Sequence, residues 1–487
     1  MSPEVDVAIV GAGIAGLGTG IQLARRARES FVILERADDV GGTWRDNRYP
    51  GVACDIPSHL YSFSFRPHAG WTRRFAPGAE IQAYLRDCVR AEGLAPHLRL
   101  GAELERAVWE DGVWTLRAGT ETVRARSLVL ATGRLSEPRI PDLPGMLDFP
   151  GPIFHSARWD DGVDLTGLRV GIAGSGATAA QVVPALAGRA ASLVVFQRSA
   201  PYVLPRGDRA VPAAERAAFA RDPAALAALR ERLFREAEAG LGARKRRQPD
   251  LDELKARARA HLEAQVPDPQ LRAQLSPDYE IGCKRIVISD DFLPALGRPD
   301  VTLEPSALRR FVGRRGLSAA GRGHELDAVV LATGFLSTRP PVAARVEGRD
   351  GIRLADRWAR GMFAYASTTV HGFPNMFVLD GPNASLGHNS AVHMIETQIG
   401  YVLGALDVLG ADPAAVLEVT AEAEAAYVAE LEQMSAGTVW LEGGCHSWYV
   451  DERSGRLTLL WPDTAESFRA RNGRFDPRPY RLLSAQG

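Results

Sequence analysis

The sequence predicts an α/β protein made of two Rossmann-like dinucleotide-binding domains, the second carrying a helical insertion. Three observations predict it. Gly11-x-Gly13-x2-Gly16 follows a short apolar run and opens a stretch of helical spacing. Gly174-x-Gly176-x2-Ala179 repeats that arrangement further on. Residues 207–275 are dense in Ala, Arg, Glu and Leu, a helical composition, and they interrupt the second copy.

Each element has a local reason. Residues 5–10 are a short run ending in glycine, as a buried parallel strand should be. Residues 12–27 follow with helical spacing and 31–34 with a second strand, completing a β-α-β unit. A strand at 127–130 closes on Ala131-Thr132-Gly133. The design then recurs as a strand at 169–173, a helix at 178–186 and strands at 193–196 and 327–331, the last closing on Ala332-Thr333-Gly334. Helices are expected over 212–240 and 251–266, a strand at 376–379 and a helix at 391–409. The basic cluster Arg244-Lys245-Arg246-Arg247 reads as a solvated helix end, because the surrounding charge is balanced. The expected division is 1–148 and 373–487 for the first nucleotide domain, 149–206 and 279–372 for the second, and 207–278 for the insertion.

A net charge of −1 gives no footing for nucleic acid. No apolar run approaches the roughly 18 residues of a membrane helix, and no signal-peptide pattern precedes residue 5. A cytoplasmic enzyme without a membrane partner is expected; nothing in the sequence signals an oligomeric state. Cys54, Cys88, Cys283 and Cys445 form no C-x-x-C pair, which argues against a metal site and a local redox dithiol. Scattered thiols in such a chain read as reduced.

The two loops differ in one decisive place. Glu35 lies 24 residues after Gly11, where a carboxylate accepts hydrogen bonds from a ribose diol. At the same 24-residue offset from Gly174 stands Arg198, followed by Ser199. A guanidinium binds a ribose 2′-phosphate that a carboxylate would repel. The first loop therefore points to FAD and the second to NADPH. Gly174, Ser175, Gly176, Ala177, Thr178 and Ala179 form the second cradle, with Gln181 on the helix behind it. Lys284 is one of only three lysines, beside Lys245 and Lys255.

These loops stand among further motifs: Gly41-Gly42-Thr43-Trp44, Arg48 to Asp55, Leu60-Tyr61-Ser62, Phe149-x-Gly151-x3-His155-x3-Trp159, Gly282-Cys283-Lys284-Arg285, and Gly444-Cys445-His446-Ser447-Trp448-Tyr449. Together they resemble the type I Baeyer–Villiger monooxygenases over almost the full length. The resemblance implies NADPH and O2 as co-substrates and a ketone converted to an ester or lactone through a flavin C4a-peroxide. It implies Arg285 as the catalytic cation, Asp55 as the carboxylate that orients it, and Lys284 as a helper of Arg198 and Ser199. Thr43, Trp44 and Tyr61, with Asn389 and Ser390, are expected around the flavin, and Trp448 against the nicotinamide–ribose. Phe149, Gly151, His155 and Trp159 read as the linker joining the two domains, either a moving coupler or a static clamp. Gly151 is expected to supply a backbone conformation that other residues resist. Two alternatives remain at this point: an N- or S-oxygenating flavin monooxygenase, against which Trp159 counts, and a non-catalytic FAD/NADPH-binding redox sensor.

Overall fold

The strand Glu4–Val10 ends in four buried residues and lies parallel to Phe31–Leu34 on one side and Glu121–Leu130 on the other. Burial on both faces is what the unbroken apolar run encodes. The computed structural model describes residues 4–412 and 415–484. The first sheet has eight strands, ordered Val346–Glu347, Leu104–Glu110, Val113–Ala118, Glu121–Leu130, Glu4–Val10, Phe31–Leu34 and Leu98–Arg99, with Met376–Val378 also pairing with Glu121–Leu130. Its antiparallel meander turns at Asp111 and Gly112, both at positive φ. An Asp-Gly pair suits that two-residue turn because its twist matches the strands. The helix Ile14–Arg26 packs on this sheet, and Ala391–Ala411 crosses behind it.

The second sheet has five parallel strands, ordered Val301–Glu304, Ser192–Phe196, Arg169–Ala173, Ala328–Leu331 and Ile153–His155. The helix Ala179–Leu186 buries Val182, Val183 and Leu186 against it. A three-stranded antiparallel sheet, Leu308–Val312, Arg315–Ser318 and Gly323–Glu325, precedes the last central strand.

Five helices from Ala213–Arg221 to Pro269–Gln274 fill the expected insertion. They touch both bodies. Phe234 joins the core of the first, while Val266 and Leu275 join the core of the second. Arg230 donates to the His59 carbonyl and, at 2.8 Å, to Ser62 Oγ. The basic cluster, expected as a solvated helix end or loop, is solvated only in part: Arg246 and Arg247 are exposed past the end of the helix Leu241–Arg244, but Arg244 and Lys245 turn inward. Arg244 donates to the carbonyls of Gly240 and Gly387, Lys245 to that of Met434, and Arg246 pairs with Glu442. The expected boundary at 372 also shifts. Ala343, Val346, Leu354, Trp358 and Met362 already sit in the first body's core, so the chain returns there by Ala343. The short Val346–Glu347 strand is too brief to leave a periodic signal. Among the described residues, no helix is long and apolar enough to cross a membrane.

The 149–159 segment forms the edge of the second sheet. Phe149 packs on Phe311, and Trp159 meets Phe154 edge-on. Gly151 needs space rather than an unusual φ: a side-chain carbon there would stand 2.0 Å from the Asp327 carbonyl oxygen. At the end of the fingerprint and just past it, Arg158 and Asp161 reach Asp46 and Arg48 of the first body. His155 is buried. Its Nε2 donates to the Gly334 carbonyl (2.9 Å), and Nδ1 accepts from the Ala157 amide (3.1 Å). One donor and one acceptor describe a neutral ring.

Burial lowers the His155 pKa from 6.5 to about 4, against the opposing pull of the Gly334 carbonyl. The unfolded chain therefore takes up this proton first. The stability gained from a neutral His155 is complete above pH 6.5 and is lost as pH falls towards 4, by about 1.4 kcal/mol per unit within that window. Urea midpoints measured at pH 7.5 and 5.5 should show His155→Gln with a shallower pH dependence than the parent. An unchanged slope would remove His155 from the account.

Candidate active site

Both glycine loops open onto one cavity of about 910 Å³. Each is shaped by packing against its own Ala-Thr-Gly segment. Gly11, at φ 105°, approaches Ala131 so closely that a side-chain carbon would lie 2.5 Å from its carbonyl oxygen. Gly174, at φ 125°, stands in the same relation to Ala332, at 2.4 Å. A side-chain carbon on Gly16 would fall 1.8 Å from the Gly11 carbonyl oxygen, so the helix can approach the strand only without one. The second body accepts the methyl of Ala179, which is fully buried there. Gly13 and Gly176 leave the backbone open: the nearest neighbour of an added carbon is 3.7 Å away at Gly13, and none lies within 4 Å at Gly176. Two exposed backbone turns of this kind on one cavity fit two dinucleotides.

Glu35 is buried at the cavity wall. It accepts from the Ala12 and Ala37 amides and pairs with Arg45 at 2.8 Å, which fixes the carboxylate in place. Thr43, Trp44 and Tyr61 line the cavity together, with Trp44 Nε1 donating to Tyr61 Oη at 3.3 Å. Asn389 lines it too, although its amide already donates to Glu238 at 2.7 Å. Ser390 lies behind the wall and caps the helix Ala391–Ala411 through the Val392 amide. On the opposite side Ser175, Ala177, Thr178, Arg198, Ser199 and Lys284 gather. Lys284 Nζ donates to Ser199 Oγ at 2.6 Å, and Ser175 Oγ to the Ser199 carbonyl at 3.0 Å. Partial burial and then the nearby Arg198 lower the Lys284 pKa. Gln181 serves a joint between the bodies: its Nε2 donates to the Ala53 carbonyl (2.9 Å), and its Oε1 accepts from Tyr49 Oη (3.0 Å).

Arg285 and Asp55 meet between the two sides. Arg285 Nε lies 2.6 Å from Asp55 Oδ2 and Nη2 lies 2.7 Å from Oδ1, a bidentate pair. Each side chain keeps about 30% of its surface open (31% and 29%). Asp55's charge raises the Arg285 pKa above its ordinary value against the cost of burial. Burial alone would lift the Asp55 carboxyl, but the guanidinium's charge and hydrogen bonds hold it below the usual range. The pair is therefore fully ionised at neutral pH.

Other site residues are visible only in the fold. Arg134, directly after Ala131-Thr132-Gly133, is largely but not fully buried at the wall and ion-paired with Asp380, which sits at positive φ beyond Met376–Val378. Burial pushes the Arg134 pKa down to about 10. Its place after the Ala-Thr-Gly motif was the available signal. Trp448 lines the cavity, its ring tilted against Tyr449 at 4.3 Å, and Tyr449 is buried. The expectation of four reduced thiols is corrected: Cys283 and Cys445 form a disulfide across 162 residues, joining the Arg285 loop to the Trp448 loop. Cys54 and Cys88 are free and buried.

Two dinucleotide cradles facing one cavity, with a fixed cation between them, define a two-nucleotide flavoprotein oxidoreductase. Residues 9–76 match the NAD(P)-binding Rossmann-like domain family. The chain is 43% identical to a Baeyer–Villiger monooxygenase of Streptomyces coelicolor, covering 99% of this chain and 93% of that one. It is 41% identical to one of Pseudomonas aeruginosa, covering 98% and 91%. Among solved structures it is similar to a steroid monooxygenase bound to NADP, with TM-score 0.85, 31% identity and coverage of 99% and 100%. It is likewise similar to cyclohexanone monooxygenase from Rhodococcus sp. Phi1 bound to NADP+, with TM-score 0.87, 26% identity and the same coverage. The chain belongs to the Baeyer–Villiger monooxygenase family and is an NADPH-dependent FAD monooxygenase.

Removing Asp380's charge leaves Arg134 buried without a counter-ion. Asp380→Asn should destabilise the protein by about 3–5 kcal/mol and lower the flavin absorbance per protein after purification. Parent-like stability and flavin content would show the pair to be dispensable.

Proposed function

We propose that the enzyme converts a ketone to an ester or lactone with NADPH and O2, and that Arg285 is the catalytic cation. The bidentate Arg285–Asp55 pair at the cavity wall carries this reading. FAD is held by Gly11, Gly13, Gly16, Glu35, Thr43, Trp44, Tyr61 and Asn389. NADPH is held by Gly174, Ser175, Gly176, Ala177, Thr178, Arg198, Ser199, Lys284 and Trp448. When bound, the two cofactors supply the hydride and the activated oxygen. The protein's part is electrostatic. Arg285 keeps its charge at any working pH, and Asp55 holds its fork in one plane, so negative charge developing on oxygen meets a cation already in place. The closed ion pair also denies the site a proton donor at this position, because neither partner gives up or carries a labile proton at neutral pH. Arg198, Ser199 and Lys284 form the 2′-phosphate seat. Phe149, Gly151, His155 and Trp159 act as the joint that keeps the second sheet's edge in register with the first body. The partners are a small-molecule ketone and O2, in the cytoplasm.

Two variants separate the roles. Arg285→Ala should still bind FAD and oxidise NADPH while ester formation falls by about 10²–10³-fold, the size of losing one oxyanion donor. Product analysis on a ketone panel reads this, and normal oxygenation would sink the assignment. Arg198→Ala should weaken NADPH by roughly 10- to 150-fold, the loss of charged hydrogen bonds, with little effect on NADH. Equal losses for both would remove the 2′-phosphate seat.

A further inference from the structure

The disulfide lies where two cavity-lining loops meet. Cys283 immediately precedes Lys284 and Arg285, and Cys445 immediately precedes His446; all but the two cysteines line the cavity, as do Trp448 and Tyr449. Few other bonds tie the loops together. Ser447 Oγ donates to the Cys283 carbonyl at 2.8 Å, and the Glu280 amide to the Gly443 carbonyl at 2.8 Å. The loops also pack tightly: a side-chain carbon on Gly443 would stand 2.8 Å from Cys283 Cβ. The two sulfurs differ in access. Cys283 is fully buried, whereas Cys445 is part-exposed between exposed Gly444 and His446. A thiolate from solvent therefore meets Cys445 Sγ first.

We propose that Cys283–Cys445 is a second redox site, a staple opened by a dithiol reductant, which controls how firmly the Trp448 loop is held against the Lys284–Arg285 loop. One sulfur of the dithiol attacks Cys445 Sγ, and Cys283 Sγ leaves as a thiolate and takes up a proton. The second dithiol sulfur then displaces Cys445 Sγ, which takes up the other proton. Two electrons pass to the protein and the dithiol becomes a disulfide. With the staple open, the Trp448 loop keeps the Ser447 and Gly443 hydrogen bonds and the electrostatic contact of Tyr449 with Arg285. The consequence for NADPH rests on the reading that Lys284 and Trp448 help hold it; the redox chemistry does not. Cys54 and Cys88 do not compete, because burial raises both thiols and keeps them protonated.

The experiment uses holoenzyme purified without reductant, with dithiothreitol as the probe. Alkylation after denaturation should count two thiols, rising to four after dithiothreitol; four at the outset would overturn the site. On the native enzyme, dithiothreitol should raise KM for NADPH on the order of fivefold. That is the factor expected if the freed loop holds its competent conformation roughly a fifth of the time. The change should leave kcat nearly unaltered and reverse on reoxidation. Cys445→Ser, and Cys283→Ala should one of them fold poorly, should show the raised KM with or without dithiothreitol. A KM indifferent to the staple, with thiols counted at two and then four, would overturn the control. Failure of the NADPH seat would instead show in Arg198→Ala, independently of the thiol count.

Discussion

The Arg285–Asp55 pair is the contact around which the two bodies are arranged. Asp55 lies in a loop of the first body and Arg285 in the segment that re-enters the second after the helices, so neither body holds the pair alone. Two charges partly withdrawn from water carry a desolvation cost, which near-ideal bidentate geometry offsets. The neighbouring contacts supply that geometry. Gln181 grips Ala53 and Tyr49, and Arg206 donates to the Cys54 carbonyl at 3.0 Å. Each bond crosses from the second body to the loop that carries Asp55.

The cavity is electropositive by construction. Arg134 has Asp380 and Arg285 has Asp55, Arg198 and Lys284 also line the cavity, and just outside the lining Arg244 is satisfied by backbone carbonyls. Carbonyl dipoles meet its hydrogen-bonding needs without cancelling its charge. A positive field sustained by buried donors is suited to oxygen anions and to phosphates, so one distribution of charge serves the chemistry and the nucleotides alike.

The features most legible in the sequence were those whose cause is local. Gly11, Gly13 and Gly16 belong to a turn that a few neighbouring residues determine, and Glu35 and Arg198 could be compared because both loops share one spacing. Elements set by distant packing were not legible. Arg134 finds Asp380, and Cys283 finds Cys445, only after the first sheet gathers segments from both ends of the chain. Gly151 was noticed for the wrong reason: its backbone is ordinary, and the constraint is the Asp327 carbonyl, a residue far along the chain. Gln181 sat in the right motif but spends its amide on the opposite body. The resemblance supplied Arg285 and Asp55 as partners, which no spacing could have paired.

The helical segment enters and leaves the second body at adjacent points. Val203–Leu204 and Val287–Ile288 pair as parallel strands, Val203 beside Val287 and Leu204 beside Ile288. A stretch whose two ends are neighbours is topologically a cassette: its length and contents can change without altering the path of either sheet. This cassette also presses Arg230 against the loop after His59 and Arg244 against Gly387, both next to cavity-lining segments. A change in the helices is thereby transmitted to the cavity wall from outside, so the shape of the cavity can change while both sheets, the Arg285–Asp55 pair and the two glycine loops keep their places.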